Sequence, residues 1–565
     1  MSLITDHKEK LCNVFKKEGL KISVNEIEEP KNKEHGDLAV PCFIFSKELK
    51  KSPAIIAQEL KDKLNIGKNF TAVNAVGPYL NFFIDVKNIS KTLLKQINSK
   101  GEKFAEKKTK KPQKVMVEFC SPNTNKPLHL GHLRNMFLGE SISSVLKYNG
   151  DNVVKSCLVN DRGVHICKSM LAYKLWGKNQ NPKKLKIKGD HFVGDYYVKF
   201  SEHQDKELDS MVAEMLQKWE QGDKETIDLW QNMNKWVLEG FEETYKKIGV
   251  AFDKYYYESN MYDKGKDIIM TAYEDGKFIK KEGAIVAQLE EYGLPDKVLI
   301  RSDGTTIYMT QDIYLAIKKI TDYNLDSSIY VVGSEQDLHF KQLFRILNIL
   351  GYSQADKCYH MSYGMVNLPD GKMKSREGTV VDADDLIDNL FKMALEEVYS
   401  RDASLSKKVA SERAMKIALS GLKFYLLKQD PVKEMTYNPK ASISFEGETG
   451  PYVQYTIVRI SSIIEKSKLV LTDKIDFDRF EDSELNLVSM LMRYEDILES
   501  AYNKMRPNLI ANYLIELSQS FNAYYHNTKI INTGMEKERL YLINAISIVL
   551  SSGLSLLGID VPDKM

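Results

Sequence analysis

The sequence predicts a doubly wound, Rossmann-like α/β domain with a parallel sheet, preceded by a small α+β domain and followed by an all-α helical bundle. Three observations lead to this fold class. Apolar, strand-like runs alternate with helical segments from residue 115 to about residue 400, as in a parallel sheet covered by helices on both faces. Beyond about residue 401 the apolar residues follow a helical period. A chain of 565 residues is also too long for one hydrophobic core.

Composition is that of an ordinary soluble protein. Hydrophobic residues make up 43% and charged residues 28%, with a net charge of only +2, so a polyanion must bind a local cluster of cations. The six cysteines form no CxxC pair, which favours reduced thiols in the cytoplasm and argues against a disulfide framework or a zinc site. The charged N-terminus lacks the apolar core of a signal peptide. The uncharged run Tyr541–Ile559 contains polar residues and is interpreted as a buried helix without membrane contact.

The first region, residues 1–102, combines helix and strand signals. Ser52 followed by Pro53 is a typical helix start. The runs Ala72–Val76 and Tyr79–Asp85, separated by a Gly-Pro pair, indicate strand, turn and strand. Residues 103–114 are rich in lysine and poor in apolar side chains, so we expect a solvated linker.

The middle region, residues 115–400, carries the predicted sheet and one insertion. Its candidate strands are Val115–Phe119, Asn152–Val159, Lys297–Ile300 and Ser328–Val332. Residues 179–274 interrupt the alternation with helical spacing and many charged residues, so they are predicted to be a helical insertion. The last region, residues 401–565, contains four long amphipathic stretches: Ala410–Lys428, Pro451–Ser467, Leu485–Lys504 and Leu509–His526.

One stretch of the middle region, Val115 to Asn135, has the features of an anion site. It reads as a buried strand, a loop with two prolines and the start of a helix. His129 and His132 flank Gly131 at the helix N-terminus, where backbone N–H groups and the helix dipole favour phosphate. Two imidazoles can donate hydrogen bonds, and the glycine permits close approach. A short HxGH match can occur by chance, so its meaning depends on the rest of the chain.

The stretch resembles the HIGH signature of class I aminoacyl-tRNA synthetases, and the longer run SPNTNKPLHLGHLRN resembles arginyl-tRNA synthetases in particular. The resemblance extends to HGDLAV and VGPYLNFF in the first region and to SFEGETGPYVQYTIVRISSI, FNAYYHNTKI and LLGIDVPDKM in the last. It implies that the first region contacts the D-loop of tRNA and that the last region binds the anticodon.

Tyr308 and Asp312 stand four residues apart, on one face if the segment is helical. An aspartate in the first turn of a helix is also explained by the helix dipole alone. The resemblance implies that this pair binds a substrate guanidinium and that Glu118 is a second carboxylate for it. A planar guanidinium is well matched by a carboxylate that accepts two parallel N–H bonds.

Further roles also follow from the resemblance. It implies that Ser121, Asn123 and Gln336 hold the α-amino and carboxylate groups of arginine, and that His132 lines both the arginine and the ATP pockets. The NDRG run at 160–163 follows the second strand, but alone it indicates only a turn.

The run GKMKSREG at 371–378 resembles the KMSKS loop of the same class but departs from it, because Ser375 occupies the position of the second lysine. Many arginyl-tRNA synthetases compensate with a lysine just before the HIGH motif, and Lys126 stands at that position. We therefore expect Lys126 and Lys372 to stabilise the triphosphate, with Lys374 and Arg376 in support. The full set expected to bind ATP is His129, Gly131, His132, Lys372, Met373 and Lys374.

The tRNA-binding residues are expected in the first and last regions. By resemblance, Tyr79 stacks on a flipped base and Asn81 bonds its edge, a common way of recognising RNA; a purely structural role for Tyr79 is equally open. In the last region, aromatic and polar residues suit stacking and phosphate contact, namely Tyr452, Gln454, Tyr455, Arg459 and Tyr525.

The resemblance therefore implies arginine–tRNA ligase activity on L-arginine, ATP and tRNA(Arg), and we expect a monomer. In the implied reaction, the arginine carboxylate attacks the α-phosphorus of Mg²⁺-ATP and expels pyrophosphate, and the terminal ribose of tRNA then attacks the adenylate and releases AMP. No zinc or other protein-bound metal is expected. Two alternatives remain: a catalytically silent tRNA-binding protein on the same scaffold, and a synthetase for another amino acid or a related nucleotidyltransferase.

Overall fold

The computed structural model describes residues 2–30, 32–177, 179–367, 381–467, 469 and 475–565. Its strands are β1 Leu38–Pro41, β2 Phe70–Val76, β3 Tyr79–Ile84, β4 Lys114–Glu118, β5 Asn152–Val159, β6 Lys254–Tyr257, β7 Ile279–Lys281, β8 Ala284–Ala287, β9 Lys297–Ile300, β10 Ser327–Gly333, β11 Tyr359–Tyr363, β12 Val366–Asn367 and β13 Met435–Thr436.

The α-helices are α1 Leu3–Lys17, α2 Ser46–Leu49, α3 Pro53–Lys63, α4 Val86–Lys100, α5 Leu130–Tyr148, α6 Val164–Trp176, α7 Pro182–Leu185, α8 Gly189–His203, α9 Lys206–Glu220, α10 Lys224–Ile248, α11 Lys266–Glu274, α12 Tyr308–Tyr323, α13 Asp337–Leu350, α14 Ala383–Arg401, α15 Lys407–Leu427, α16 Pro439–Ser442, α17 Gly450–Ser467, α18 Asp482–Met492, α19 Tyr494–Lys504, α20 Asn508–Asn527 and α21 Glu536–Leu556.

The middle region contains a five-stranded sheet in the order β11-β10-β4-β5-β6, and every neighbouring pair is parallel. The chain first adds β5 and β6 on one side of β4 and later adds β10 and β11 on the other. The predicted doubly wound architecture is therefore confirmed. Its topological switch point lies between β4 and β10, and in such sheets ligands bind at the carboxyl ends of the strands beside that point.

Two segments of the middle region differ in their sheet pairing from the prediction. Lys297–Ile300 forms a strand, β9, as predicted, but it belongs to a separate antiparallel sheet of order β7-β8-β9. The range 179–274, predicted to be a helical insertion, also contains the parallel strand β6. A four-residue aromatic run such as Lys254–Tyr257 gives a weak strand signal locally, and only its pairing with β5 makes it part of the sheet.

The chain forms two compact units. One, the sheet-bearing unit, consists of residues 106–452, 504–511 and 555–565 and carries the parallel sheet. The other consists of residues 1–105, 453–503 and 512–554. The boundary predicted at residue 401 falls inside the first of these units. The segment after it belongs with the sheet-bearing unit, because β13 pairs with β12 and the buried Arg134 donates hydrogen bonds to the carbonyls of Pro431 and Lys433.

The other unit joins an antiparallel sheet of order β1-β3-β2 to the bundle helices. Helix α3 begins at Pro53 with Ser52 as its N-cap, as predicted. Within this unit, Phe104 stacks on Tyr494 with ring centroids 5.5 Å apart. Helix α21 is long and apolar enough to cross a membrane, but 67% of its most apolar window is buried within the protein, as in a core helix.

Candidate active site

Two histidines cap the first turn of α5 through their own rings. The backbone N–H of Gly131 donates to Nδ1 of His129 at 3.2 Å, and the backbone N–H of His129 donates to Nδ1 of His132 at 3.1 Å. A Cβ at Gly131 would lie 3.0 Å from the His129 ring, closer than ordinary contact. The segment therefore forms a reciprocal cap of the helix N-terminus, which satisfies two otherwise free backbone donors.

This cap determines which nitrogen of each ring carries the proton. Because both Nδ1 atoms accept hydrogen bonds, the proton of each neutral ring is on Nε2. Burial, reinforced by the charge of Lys126, lowers the pKa of His129 to about 4. Burial lowers the pKa of His132 well below its ordinary value, with His129 and Lys126 acting in the same direction. At neutral pH the pair consequently presents two uncharged Nε2–H donors.

Lys126 lies three residues before the helix cap and is half-buried. Burial lowers the pKa of its ammonium group. In the part of the chain that the structure describes, no carboxylate lies within ion-pair distance of Lys126. Helix α8 supports the adjacent loop, since a Cβ at Gly194 would lie 2.7 Å from Cδ of Pro127. A partly desolvated cation without a counterion is a favourable place for an anion.

The predicted KMSKS-like residues Lys372, Met373, Lys374, Ser375 and Arg376 lie outside the described residues. The chain that follows them, residues 381–383, runs directly beside the histidine cap. Leu130 donates its backbone N–H to the carbonyl of Val381 at 3.1 Å, and Ala383 donates to Leu128 at 3.0 Å.

Close to this pairing, Asp190, His191 and Asp384 bring three potential ligand atoms within 4.8 Å of one another. The ammonium of Lys188 already lies 2.9 Å from Asp190 and 2.7 Å from Asp384. Desolvation opposes ionisation of Asp384, but hydrogen bonds from His191 and Lys188 lower its pKa. The cluster is therefore a lysine-centred ion-pair network that joins α8 to α14.

A second polar site lies at the start of α12. This helix precedes β10 and runs antiparallel to it, so its N-terminus lies at the carboxyl edge of the sheet. Tyr308 is the first residue of α12 and is 76% exposed. The Asp312 side chain is 34% exposed, and one of its oxygens lies 2.7 Å from Nε2 of His339. The structure thus leaves Asp312 accessible and oriented by a histidine.

Glu118, predicted to bind the substrate guanidinium, has a partner within the protein. Its carboxylate forms an ion pair with Lys319, which is only 1% exposed. The Lys319 ammonium also lies 5.0 Å from the ring centre of Tyr330 and 5.6 Å from that of Tyr256. The Glu118 carboxylate therefore neutralises a buried lysine, which was not expected from the sequence.

The polar residues expected to hold the α-amino and carboxylate groups lie at neighbouring strand ends. Cys120 and Ser121, directly after β4, have φ values of 81° and 45°. Asn123 pairs with Asn160 in a parallel bridge next to β5. Gln336 is exposed in a short 3₁₀ turn after β10. All four of these positions lie at the carboxyl edge of the sheet.

Glu258 also lies at this edge, directly after β6, and no sequence pattern indicated it. Asp161 of the NDRG run fixes the neighbouring turn, because it accepts hydrogen bonds from Ser259 N at 2.8 Å and Ser259 Oγ at 2.6 Å. Burial raises the pKa of Glu258 to about 7; Arg162 opposes this shift, while Asp161 and Asp312 reinforce it.

We predict that Glu258→Gln stabilises the sheet-bearing unit increasingly as pH rises from about 4.5 to about 7. The folded state holds the proton more tightly than the unfolded chain, so ionisation lowers the stability of the parent across this window. After allowance for solvent screening, the difference should reach about 2 kcal/mol above pH 7. Thermal melting at pH 5 and pH 8 measures it, with the exposed Glu290→Gln as control. A difference that does not vary with pH contradicts the prediction.

A basic groove of about 780 Å³ lies in the other unit, lined by residues of α17, α20 and the segment after α20. The Arg459 guanidinium donates to Asn522 at 2.6 Å and lies 5.6 Å from the ring centre of Tyr525, which is 39% exposed. The other cationic or titratable side chains lining it are Lys466, His526 and Lys529. Cations beside an exposed ring suit single-stranded nucleic acid.

Three of the predicted tRNA-binding residues are not presented as expected. Asn81 is 3% exposed within β3 and Gln454 is fully buried, so neither side chain is available to a base edge in this structure. Tyr79 is half-buried and packs edge-on against Phe43 at 6.2 Å. Tyr452 is half-buried near the start of α17.

Three family models match the chain. The one described as "tRNA synthetases class I (R), catalytic domain" matches residues 93–438, which is more than half of the chain. The chain belongs to the arginyl-tRNA synthetase family. Consistent with this, "Arginyl tRNA synthetase N terminal domain" matches residues 3–84 and "DALR anticodon binding domain" matches residues 453–565.

Arginyl-tRNA synthetases are also found among the similar whole chains. An arginine–tRNA ligase of Treponema denticola is 43% identical over 557 residues, covering 95% of this chain and 94% of its own length. One from Porphyromonas gingivalis is 40% identical over 573 residues, with coverages of 96% and 95%. The Thermus thermophilus arginyl-tRNA synthetase structure has a TM-score of 0.84 at 27% identity and 100% coverage of both chains. That of Plasmodium falciparum, at 21% identity, shows the same fold with a TM-score of 0.80 and coverages of 100% and 98%.

The sequence patterns did not indicate two residues of this site, His339 and Lys319. His339 lies three residues after Gln336 in the same largely polar run, and this proximity was the available signal. No local signal indicated Lys319, since its partner Glu118 is 201 residues away in sequence.

Proposed function

We propose that the carboxyl edge of the parallel sheet is where this chain carries out the arginine–tRNA ligase activity of its family. One observation supports this most directly. Two neutral Nε2–H donors and the ammonium of Lys126, which has no ion-pair partner among the described residues, form an anion site at this edge, and the accessible carboxylate of Asp312 lies at the same edge. An anion site and a carboxylate at one sheet edge suit a reaction between a nucleoside triphosphate and a cationic amino acid.

In the proposed complex, Asp312 accepts two N–H bonds from the arginine guanidinium, and Tyr308 covers its plane. His339 holds the Asp312 carboxylate in place from the other side. Ser121, Asn123 and Gln336 hold the α-amino and carboxylate groups, and His132 lies between the two pockets. The Glu118 carboxylate is paired with Lys319, so it contributes to guanidinium binding only the negative charge that Lys319 does not neutralise.

ATP binds as its Mg²⁺ complex, so the metal enters as part of the substrate. His129 and His132 donate from Nε2 to phosphate oxygens, and Gly131 allows the nucleotide close to the backbone. Lys126 and Lys372 stabilise the charge that develops as pyrophosphate leaves; Met373, Lys374 and Arg376 are supporting residues of the same signature.

The reaction needs no protein nucleophile. A carboxylate oxygen of arginine forms a bond to the α-phosphorus, and the bond to the bridging oxygen of pyrophosphate breaks. The terminal ribose hydroxyl of tRNA(Arg) then attacks the adenylate carbonyl, and AMP leaves. The site contributes orientation and fixed N–H donors, because the histidine pair is uncharged and its Nδ1 atoms are engaged in the helix cap.

Arginine-dependent exchange between ATP and pyrophosphate, with tRNA(Arg) present, tests this proposal. We expect Lys126→Met to lower the exchange rate about 100-fold, the size of effect seen when one donor to a developing charge is removed. The exposed Lys147→Met on α5 is the matched control and should have no effect. A parent protein that binds tRNA without exchange would instead support the silent tRNA-binding alternative.

We also propose that the basic groove of α17 and α20 binds a single-stranded part of the tRNA, with Tyr525 as a stacking platform and Arg459 as a phosphate or base contact. Tyr525→Ala should weaken tRNA binding about 10-fold, because stacking on one base contributes about 1–3 kcal/mol. Tyr525→Phe keeps the ring and should bind normally. Filter binding at fixed salt measures both, and equal affinity of the two variants contradicts the proposal.

Cytoplasm is the proposed compartment, since all six cysteines, which lie among the described residues, are free thiols. A monomer is the proposed working state.

A further inference from the structure

The turn that follows β4 has a backbone conformation that needs external support. Cys120 and Ser121 both have positive φ, at 81° and 45°. Two consecutive non-glycine residues in this region are unfavourable, and such turns persist only where surrounding groups hold them.

The Asn135 side chain supplies that support. It lies in the second turn of α5 and is 6% exposed. Its Oδ1 accepts a hydrogen bond from the backbone N–H of Cys120. Its Nδ2 donates to the carbonyl of Val331 at 2.7 Å and to Oη of Tyr363 at 3.1 Å. One buried amide thus joins the ends of β4, β10 and β11.

The elements that Asn135 joins carry one end of the proposed arginine site. The turn at Cys120 leads directly into Ser121 and Asn123, and β10 continues past Val331 toward Gln336. The guanidinium end is carried by α12, whose Asp312 is bonded to His339, three residues after Gln336. The direct hydrogen bonds of Asn135 go to the turn before Ser121 and to β10 and β11, and none of these three bonds goes to α12.

We propose that Asn135 is a positioning residue that sets the geometry of the subsite for the α-amino and carboxylate groups of arginine. The inference rests on the proposed assignment of Ser121, Asn123 and Gln336. Only an amide supplies one acceptor and two donors in this arrangement. An aspartate keeps the acceptor for Cys120 but opposes the Val331 carbonyl with negative charge.

The test compares arginine with butylguanidine, which keeps the guanidinium and lacks both α groups. Asn135→Ala should raise KM for arginine in the exchange reaction at least 10-fold. The inhibition constant of butylguanidine should change less than 2-fold. Asn135→Asp should show the same asymmetry to a smaller extent, and it carries the test if the alanine variant fails to fold. Parallel weakening of both ligands, or no change in either, overturns the inference.

Two further variants separate this inference from the assignment it rests on. Asp312→Asn should weaken arginine and butylguanidine together, and failure of butylguanidine to inhibit the parent contradicts the guanidinium slot itself. Asn123→Ala should raise KM for arginine alone. If it does not, the α-group assignment is wrong; if it does while the Asn135 variants behave as the parent, only the role of Asn135 is wrong.

Discussion

Asp312→Asn is expected to lower kcat/KM for arginine by about 10³-fold or more while leaving ATP binding unchanged. The substitution keeps the shape of the side chain but removes the charge that faces the substrate guanidinium. The bound cation then loses a bidentate, charge-assisted pair in a partly desolvated pocket. Sites built to pair a polar substrate group lose about 10⁴–10⁵ in selectivity when that pairing fails, so removal of one carboxylate can account for the predicted loss.

Steady-state exchange kinetics at varied arginine measure this loss, and equilibrium binding of ATP checks the nucleotide pocket. The matched control is Asp322→Asn, in the last turn of the same helix, where the carboxylate forms an exposed pair with Lys318 at 2.8 Å. That variant should react as the parent does. Normal arginine charging by Asp312→Asn would show that another group binds the guanidinium.

Lys319→Met is expected to destabilise the sheet-bearing unit by about 3–5 kcal/mol, because it leaves the Glu118 carboxylate buried without its counterion. Methionine fills a similar volume, so loss of packing contributes little. The substitution also removes the cation–π contacts of the Lys319 ammonium with the rings of Tyr330 and Tyr256.

The double variant Lys319→Met/Glu118→Leu should recover most of that stability, since replacing both members of a buried ion pair by apolar groups is often neutral or better. Thermal and denaturant unfolding measure the cycle. The neighbouring Lys318→Met, which removes only a surface pair, should change stability by less than about 1 kcal/mol. Equal effects of the Lys318 and Lys319 variants would contradict the importance of the buried pair. The KM of the Glu118→Gln variant for arginine then shows how much the negative charge of Glu118 contributes to substrate binding.

Much of the fold was predictable because it depends on local patterns. The β-branched run Val115–Phe119 and the period after Gly131 correctly indicated a buried strand followed by a helix. Tyr79–Asp85 and Ser52-Pro53 were likewise recognised from turn and cap residues alone. Strand β11, Tyr359–Tyr363, was not predicted, since its alternating polar and aromatic residues give no apolar run.

For the candidate site, too, local patterns predicted where the residues lie on helices and strands. Spacing placed Tyr308 and Asp312 on one helix face, and the strand-to-helix junction placed His129 and His132 at a helix N-terminus. The protonation of those rings was not predictable, because it depends on which backbone N–H groups reach Nδ1. The burial of Asn81 and Gln454 was not predictable either, since a polar residue in an amphipathic stretch gives no indication of what covers it.

The sequence by itself determined many of the helices and strands, the doubly wound region and the residue types at the carboxyl edge of the sheet. These follow from propensities and periodicities that act over a few residues. Only the tertiary structure decided that β9 leaves the main sheet, that β6 joins it, that Lys319 neutralises Glu118 and that Asn135 fastens three strand ends. Each of these depends on groups far apart in sequence, whose pairing is selected by burial and hydrogen-bond satisfaction in the folded chain.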